Sequence, residues 1–439
     1  MNLRCFRMSA LVSITTDPHT RTLTMTITEA DWEQTQQRSF YAGEQAVQQL
    51  VSAVGRALVQ ELLQSKSQGE PILEHDGQRW YRKAASTGHY HTLYGEVAVE
   101  RPLYQRSTGG ETRCPLEEAC QLSFASATPL LAEVLSFKVS AMTPNEVVQD
   151  LAKQGLVLSP SFIQQTAQRG GQLAVQKRTR WDLRSPAPER PVRTMATGLD
   201  GTTVPVWDEG YKEAMCGTIA LYDRQGQRLA TDYLGTMPES GKGQFVERFT
   251  TRVAQVKARY PRARHVVLSD GATWNWQLIA AQYPDALGIL DFWHAAQHLA
   301  EAGDAIFGSA PSAAKTAWFE RWRTTLRDEP NGVARVLRTL IYYRNSATLS
   351  VAARQGVATH LHSFRQHAEH MQYAAYTAAG LPIGSGVTEA GCKELLKARF
   401  CRSGMRWKRD TGDAILQLRA LRLSAQWDSF WAKVMRYAA

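Results

Sequence analysis

Residues 196–207, ATGLDGTTVPVW, and residues 265–276, HVVLSDGATWNW, each place an acidic residue and a glycine directly behind an apolar run. Short Val-, Leu- and Thr-rich runs bounded by Asp-Gly read as strands that end in turns. Asp200 and Asp270 are therefore expected at strand ends. A carboxylate left unpaired there is costly, and a bound metal ion offsets that cost; taken singly, either Asp-Gly is also an ordinary turn. Working outward, strands are expected at 194–199, 202–207, 215–222 and 228–234, then a helix with Ser240 as its N-cap and Phe245, Phe249, Val253 and Val256 along its core face. Strands at 265–268 and 286–290 follow. This order predicts an α/β unit whose sheet is antiparallel first and parallel later.

A third carboxylate, Glu389, stands in LPIGSGVTEAGCK at 381–393. The step Gly384-Ser385-Gly386 is expected to restart a long helix and to let its backbone approach a neighbouring strand, with Glu389 presented near the helix start. Three hard oxygen ligands on two strands and a helix suit Mg²⁺ or Mn²⁺. Two such ions serve phosphodiester chemistry by activating the attacking oxygen and stabilising the leaving one. Between the last strand and this helix, residues 304–378 read as wholly helical, with Trp318, Phe319, Trp322 and Leu326, then Val336, Leu337, Leu340 and Tyr343, at helical spacing.

Ahead of the core, strands are expected around 11–14 and 23–27, a helix over 40–64 and a small β unit over 79–105. Residues 128–177 read as helices flanking a turn at 154–159, with Ser159-Pro160-Ser161 heading the last one. That pattern fits a DNA-reading helix-turn-helix, or else an ordinary helical hairpin. RSPAPERP at 184–191 cannot continue a helix and marks an expected domain boundary. The expected organisation is an α+β module at 1–125, a helix-turn-helix region at 126–185, a catalytic core at 192–303 and 379–425, and a helical insertion at 304–378. An aromatic helix at 427–437 closes the chain.

The 439 residues carry 51 Lys and Arg against 41 Asp and Glu, a formal charge of +10 that favours a polyanionic partner without specifying one. Hydrophobic residues make up 44% and charged residues 21%, which excludes a disordered chain. Cysteines at 5, 114, 120, 216, 392 and 401 form no C-x-x-C pair and read as reduced thiols. With no leader-like start and no membrane-spanning run, the expectation is a soluble, unexported, cytoplasmic protein associated with the nucleoid.

The phrases GLDGTTVPV, LSDGATWNW, ILDFWHAAQHL, LPIGSGVTEAGCK and SGMRW, in that order, resemble bacterial insertion-sequence transposases of the ISKra type. These are related to the Mutator-like group, whose core is RNase H-like (retroviral-integrase-like). The resemblance implies that Asp200, Asp270 and Glu389 are a DDE triad holding two Mg²⁺ or Mn²⁺ ions. It further implies cleavage at terminal inverted repeats, strand transfer into target DNA, and a homodimer or higher oligomer holding both element ends. The wide gap from Asp270 to Glu389 is similar to relatives with an all-helical insertion before the glutamate. Such relatives often carry a cysteine-rich zinc-binding stretch near the front, of which only Cys114 and Cys120 stand here.

Asp291 and His294 look like that group's Asp-or-Cys, two residues, His motif and become substrate-positioning candidates; the alternative is a helix cap and a hydrogen-bonded core histidine. His294 and His298 have the spacing of a helical zinc pair, but no HExxH base accompanies them, so zinc there is disfavoured. Trp274 and Trp276 either stack on a frayed base or pack in the core. Lys397, Arg399, Arg402, Arg406, Trp407, Lys408 and Arg409 read as a phosphate-tracking surface, against a merely solvated helix face. No role is read into His89 with His91, and His360, His362, His367 and His370 are expected at the surface. Two rival functions remain from sequence alone, a transposase-derived repressor that binds repeats without cutting and a metal nuclease that cuts without joining.

Overall fold

The computed structural model describes residues 4–9, 12–17, 22–27, 39–67 and 69–437. Leu11, Pro18 and His19 lie outside the described residues, as does the Cys5 side chain. The chain divides into two compact units. One comprises the residues up to Val175 with those from Asp428 onward; the other is Gln176–Trp427. The division falls ahead of the Pro-rich stretch, whose Ser185 and Arg190 bond Asp232 and Asp223 within the second unit.

In the first unit, β1 (Arg4–Ser9), β2 (Val12–Asp17) and β3 (Thr22–Ile27) form an antiparallel sheet. Helix α1 (Phe40–Lys66) matches the expected helical run. A second antiparallel sheet holds β4 (Ile72–His75), β5 (Gln78–Thr92), β6 (Gly95–Gln105) and β7 (Thr112–Arg113). Alternation places Tyr90, Val97 and Val99 inward, where they meet Leu63 of α1. Four helices complete this part, α2 (Pro115–Ala119), α3 (Pro129–Val139), α4 (Pro144–Ala152) and α5 (Pro160–Lys177). Helix α4 opens on a reciprocal cap between Thr143 and Glu146. The connection from α4 to α5 spans residues 153–159, longer than the 3–4-residue turn usual in a helix-turn-helix. Leu156 and Leu158 anchor it while Val157 is 82% exposed.

The second unit is built on one mixed sheet. Its strands are β8 (Thr194–Val206), β9 (Gly210–Tyr222), β10 (Arg228–Thr236), β11 (Arg264–Ser269) and β12 (Leu287–Leu290), in spatial order β10-β9-β8-β11-β12. The first three pair antiparallel, and β11 runs parallel to both β8 and β12. Side-chain alternation sorts the two faces. Met195, Ile219, Leu221 and Val267 pack under α6 (Gly243–Arg259) and α7 (Thr273–Gln282). Ala196, Ala220, Val266, Leu268 and Ile289 face α8 (Phe292–Phe307) and the helices beyond it. Those are α9 (Ala313–Asp328), α10 (Gly332–Asn345), α11 (Val351–Gln366) and α12 (Tyr373–Ala378), so 304–378 contains helices and no strand. The chain returns to the sheet in α13 (Gly386–Gly391), continued by a wide π-helical turn (Cys392–Lys397) and α14 (Ala398–Phe400), and α15 (Arg409–Leu423) follows; α16 (Trp427–Tyr437) belongs, from Asp428, to the first unit.

Two expectations are corrected. The strands at 194–199 and 202–207 are one continuous strand, so Asp200 lies within β8, paired with Cys216, rather than at a strand end. The Asp-Gly turn does not form because β9 offers an uninterrupted antiparallel partner from Tyr222 to Gly210. Helix α6 starts at Gly243, not Ser240, although Phe245, Phe249, Val253 and Val256 are buried as expected.

His265 in β11 is 7% exposed, with Nε2 3.0 Å from Thr197 Oγ1 and its ring edge-on to Tyr283. Burial, with Lys257 nearby, lowers its pKa to about 4. The unfolded state binds that proton more readily, so stability from this group is complete above the unfolded pKa near 6.5 and is lost as pH falls toward 4. A loss of roughly 2–3 kcal/mol is expected between pH 7 and pH 4.5. Denaturant unfolding of the parent and of His265→Gln at both pH values checks this, the variant showing the smaller pH dependence.

Candidate active site

The parallel pairing of β11 with β8 ends at Leu268 and Gly198, so β8 runs on beyond its neighbour and Asp200 emerges at that step. Asp270 follows the last residue of β11, with its Oδ1 accepting from Asn275 Nδ2 (2.9 Å) and the Ala272 amide (3.2 Å). Glu389 lies in the first turn of α13 and accepts from Ser385 Oγ at 2.9 Å. These carboxylates share a cavity of about 230 Å³ with Leu199, Asp291, Trp293, His294, Ser385 and Thr388. Such a cleft at the carboxyl ends of adjacent parallel strands is where α/β sheets commonly place ligands.

Helix α13 reaches the sheet because of Gly198. A Cβ there would sit 2.3 Å from Thr388 Oγ1, and Thr388 is hydrogen-bonded to Thr218 of β9 at 2.7 Å. Gly391 makes a second close approach, over Thr218 and Cys216. The glycines expected to do this, Gly384 and Gly386, do not touch the strands; Gly384 faces Trp293 and Asp291, and nothing lies within 4 Å of a Cβ on Gly386. Under Asp200, the buried thiols of Cys216 and Cys392 meet. The Cys392 thiol is pushed far up by its hydrogen bond with Cys216, by burial and by the Asp200 charge, so it stays protonated. In the sequence both read as scattered thiols; strand register sets Cys216 opposite Asp200, and the close packing of Gly391 over β9 brings Cys392 to it.

Asp291 is 3% exposed and ties two elements together. Its Oδ2 accepts from the His294 amide (3.0 Å), capping α8, and its Oδ1 accepts from the Ser385 amide (2.8 Å), fixing the turn that leads to Glu389. The helix-cap alternative thus describes Asp291, with the added duty of holding the Glu389 loop. The His294 ring stands against Gly271, whose φ of +89° is permitted by the lack of a side chain. Trp293, passed over in the sequence, is 59% exposed and lines the cleft. Its position two residues into a helix capped by Asp291 was the available signal.

Several expected nucleic-acid contacts are corrected. Arg399 is 1% exposed, its guanidinium 4.9 Å from the centre of the Trp407 ring, and Trp407 is itself buried with Nε1 donating to the Phe400 carbonyl. The interleaved cation and aromatic pack on each other instead of facing solvent. Arg409 makes a two-bond ion pair with Glu209. Lys397, Arg402, Arg406 and Lys408 are exposed. Trp276 stacks on His370 (4.1 Å) and on His367 (5.3 Å) and packs, partly buried, against the core, whereas Trp274 is half-buried with Lys242 Nζ 4.6 Å over its ring. A groove of about 600 Å³ between α9 and α10 is lined by Arg321, Arg335 and Arg338 beside Trp322 and Tyr342.

The later histidines are not a surface group. Of the four, only His362 is exposed; His367 is buried, and His370 bonds the Gly288 carbonyl. His298 turns away from a joint site with His294, whose ring meets it edge-on at 4.8 Å, and pairs with His360 of α11. Burial holds His298, His360 and His367 below the usual histidine range. Among the described residues, the three metal-type side chains whose ligand atoms lie within 4.8 Å of one another are His298, Glu301 and His360. The carboxylates of Asp200, Asp270 and Glu389 face one cleft without closing to that distance.

No described helix is long and apolar enough to cross a membrane. Comparison of the sequence with protein-family models and with curated proteins gives no match.

Gly198→Ala is expected to destabilise the protein by about 1–3 kcal/mol, the cost of overpacking, because Thr388 must leave its bond to Thr218. Paired Gly198→Ala, Thr388→Ala unfolding measurements check it, with the double variant recovering part of the loss left by Gly198→Ala.

Proposed function

We propose that the chain is a DDE-type transposase that cuts DNA at terminal inverted repeats and joins the freed 3′ end to target DNA. The observation that carries this reading is that Asp200, Asp270 and Glu389, far apart in sequence, line one cleft. Among the described residues they make hydrogen bonds to Gly201, Ala272, Asn275 and Ser385 but no ion pair. Three carboxylates gathered without a cationic side chain call for a cation from outside, and an all-oxygen donor set open to solvent fits Mg²⁺ or Mn²⁺. The sheet order, three antiparallel strands and then two parallel ones, supports an RNase H-like core.

Bound divalent ions would supply activation of an attacking water or 3′-hydroxyl and stabilisation of the leaving oxygen. The chain's own part is positional. Asn275 orients Asp270, Ser385 orients Glu389, and Asp291 holds Ser385 in place. His294 offers its ring nitrogen at the cleft for a phosphate oxygen, and Trp293 offers a face on which a base can stack. Exposed Lys397, Arg402, Arg406 and Lys408 suit the DNA backbone beyond the scissile bond. Helices α4 and α5 are proposed to bind the element ends, and two copies of the chain to hold the pair of ends together.

The test is a strand-transfer assay with Mg²⁺, full-length protein and labelled DNA from the ends of the flanking element. Cleavage and joined product are expected, and Asp200→Asn, Asp270→Asn or Glu389→Gln should each lower the rate by roughly 10³-fold or more while unfolding midpoints hold, since metal-borne charge stabilisation is worth several kcal/mol. Cleavage without joining would leave a nuclease, and retardation without cleavage a repressor; either result overturns the proposal.

A further inference from the structure

The side chains of His298, Glu301 and His360 lie one helical turn behind the cleft histidine and take no part in the chemistry proposed above. His298 and Glu301 are three residues apart on α8 and so share a face, while His360 comes from α11, packed alongside. His298 Nδ1 and His360 Nδ1 are 3.1 Å apart, and Glu301 Oε2 is 3.8 Å from the first and 3.7 Å from the second. For a triangle with sides 3.1, 3.8 and 3.7 Å, the point equidistant from all three corners lies about 2.1 Å from each. That is the bonding distance of zinc to imidazole nitrogen and to carboxylate oxygen, both about 2.0–2.2 Å.

We propose that His298, Glu301 and His360 form a zinc site that fastens α11 of the helical segment to α8. Two imidazoles and one carboxylate are a borderline donor set that selects Zn²⁺ and related transition ions over Mg²⁺. The three side chains are only partly covered, with Glu301 45% exposed, so a water can complete four-coordination. A hydrogen bond between neutral imidazoles, one donating and one accepting, explains the histidine pair alone; Glu301 Oε1 accepts from Gln297 Nε2 at 3.0 Å, which leaves Oε2 turned toward both rings. Fastening here steadies the first turns of α8, where Asp291 and His294 sit. The site does not depend on the catalytic reading, since no ligand is shared with Asp200, Asp270 or Glu389.

The experiment titrates Zn²⁺ into chelator-treated full-length protein by calorimetry and records X-ray absorption of the zinc-loaded form. One strong site per chain is expected, with two nitrogen and at least one oxygen neighbour at about 2.0–2.2 Å. His298→Ala and His360→Ala should weaken binding by more than the roughly 10–100-fold that losing an outer-shell partner costs, and Asp270→Asn should leave it unchanged. Circular dichroism confirms that each variant is folded. The absorption measurement on the parent protein needs no variant, so a folding failure leaves the proposal testable. An all-oxygen zinc shell, absent binding, or equal affinity in folded histidine variants would overturn it and leave only a hydrogen-bonded histidine pair.

Discussion

Thr388 occupies the space that a side chain on Gly198 would take, and its hydroxyl bonds Thr218 on the next strand. This seat fixes how near α13 comes to β8 and β9, and the cleft is the consequence. Gly198 and Asp200 are two apart on one strand and face the same side, so the helix resting on the first lies beside the second. Glu389, one residue after Thr388, is thereby delivered next to Asp200. The wide π-helical turn that follows carries Cys392 beneath Asp200 and buries Leu395 and Leu396. An extra residue inserted into a helix at such a place is common beside functional sites, because it re-aims side chains without ending the helix.

Much of the scaffold was legible because its signals are local. The stripe of Phe245, Phe249, Val253 and Val256, the helices of 304–378 and the long helix from Phe40 are periodic patterns that burial enforces. Asp-Gly at 200–201 misled because turn propensity is weak against a full antiparallel partner. The same limit explains the glycines. The sequence marks where backbone freedom exists, but only tertiary contact decides that Gly198, and not Gly386, is where a helix touches a strand.

The charged residues divided along similar lines. A cluster of cations beyond Glu389 reads as one surface, yet Arg399 is enclosed against Trp407 while Lys397, two positions earlier, is exposed. Residues two apart on a helix point in nearly opposite directions, so a linear run of charge cannot form one face. The histidines erred the other way. His298 and His360 are separated by 62 positions and meet only because α8 and α11 pack side by side. No motif spacing within a single helix encodes that meeting.

The strand that carries Asp200 and its partner β9 run on together beyond the rest of the sheet, since β11 leaves β8 at Gly198 and β10 leaves β9 at Met215. A projecting two-stranded ribbon normally offers a free row of amides and carbonyls to any passing chain. Here the backbone of Trp407 lies along that border, accepting from the Trp207 amide and donating to the Pro205 carbonyl, while Pro205 itself has no amide to offer. The buried tryptophan therefore acts as a selvedge. It spends its main chain on sealing an edge that would otherwise invite strand-to-strand self-association beside the cleft.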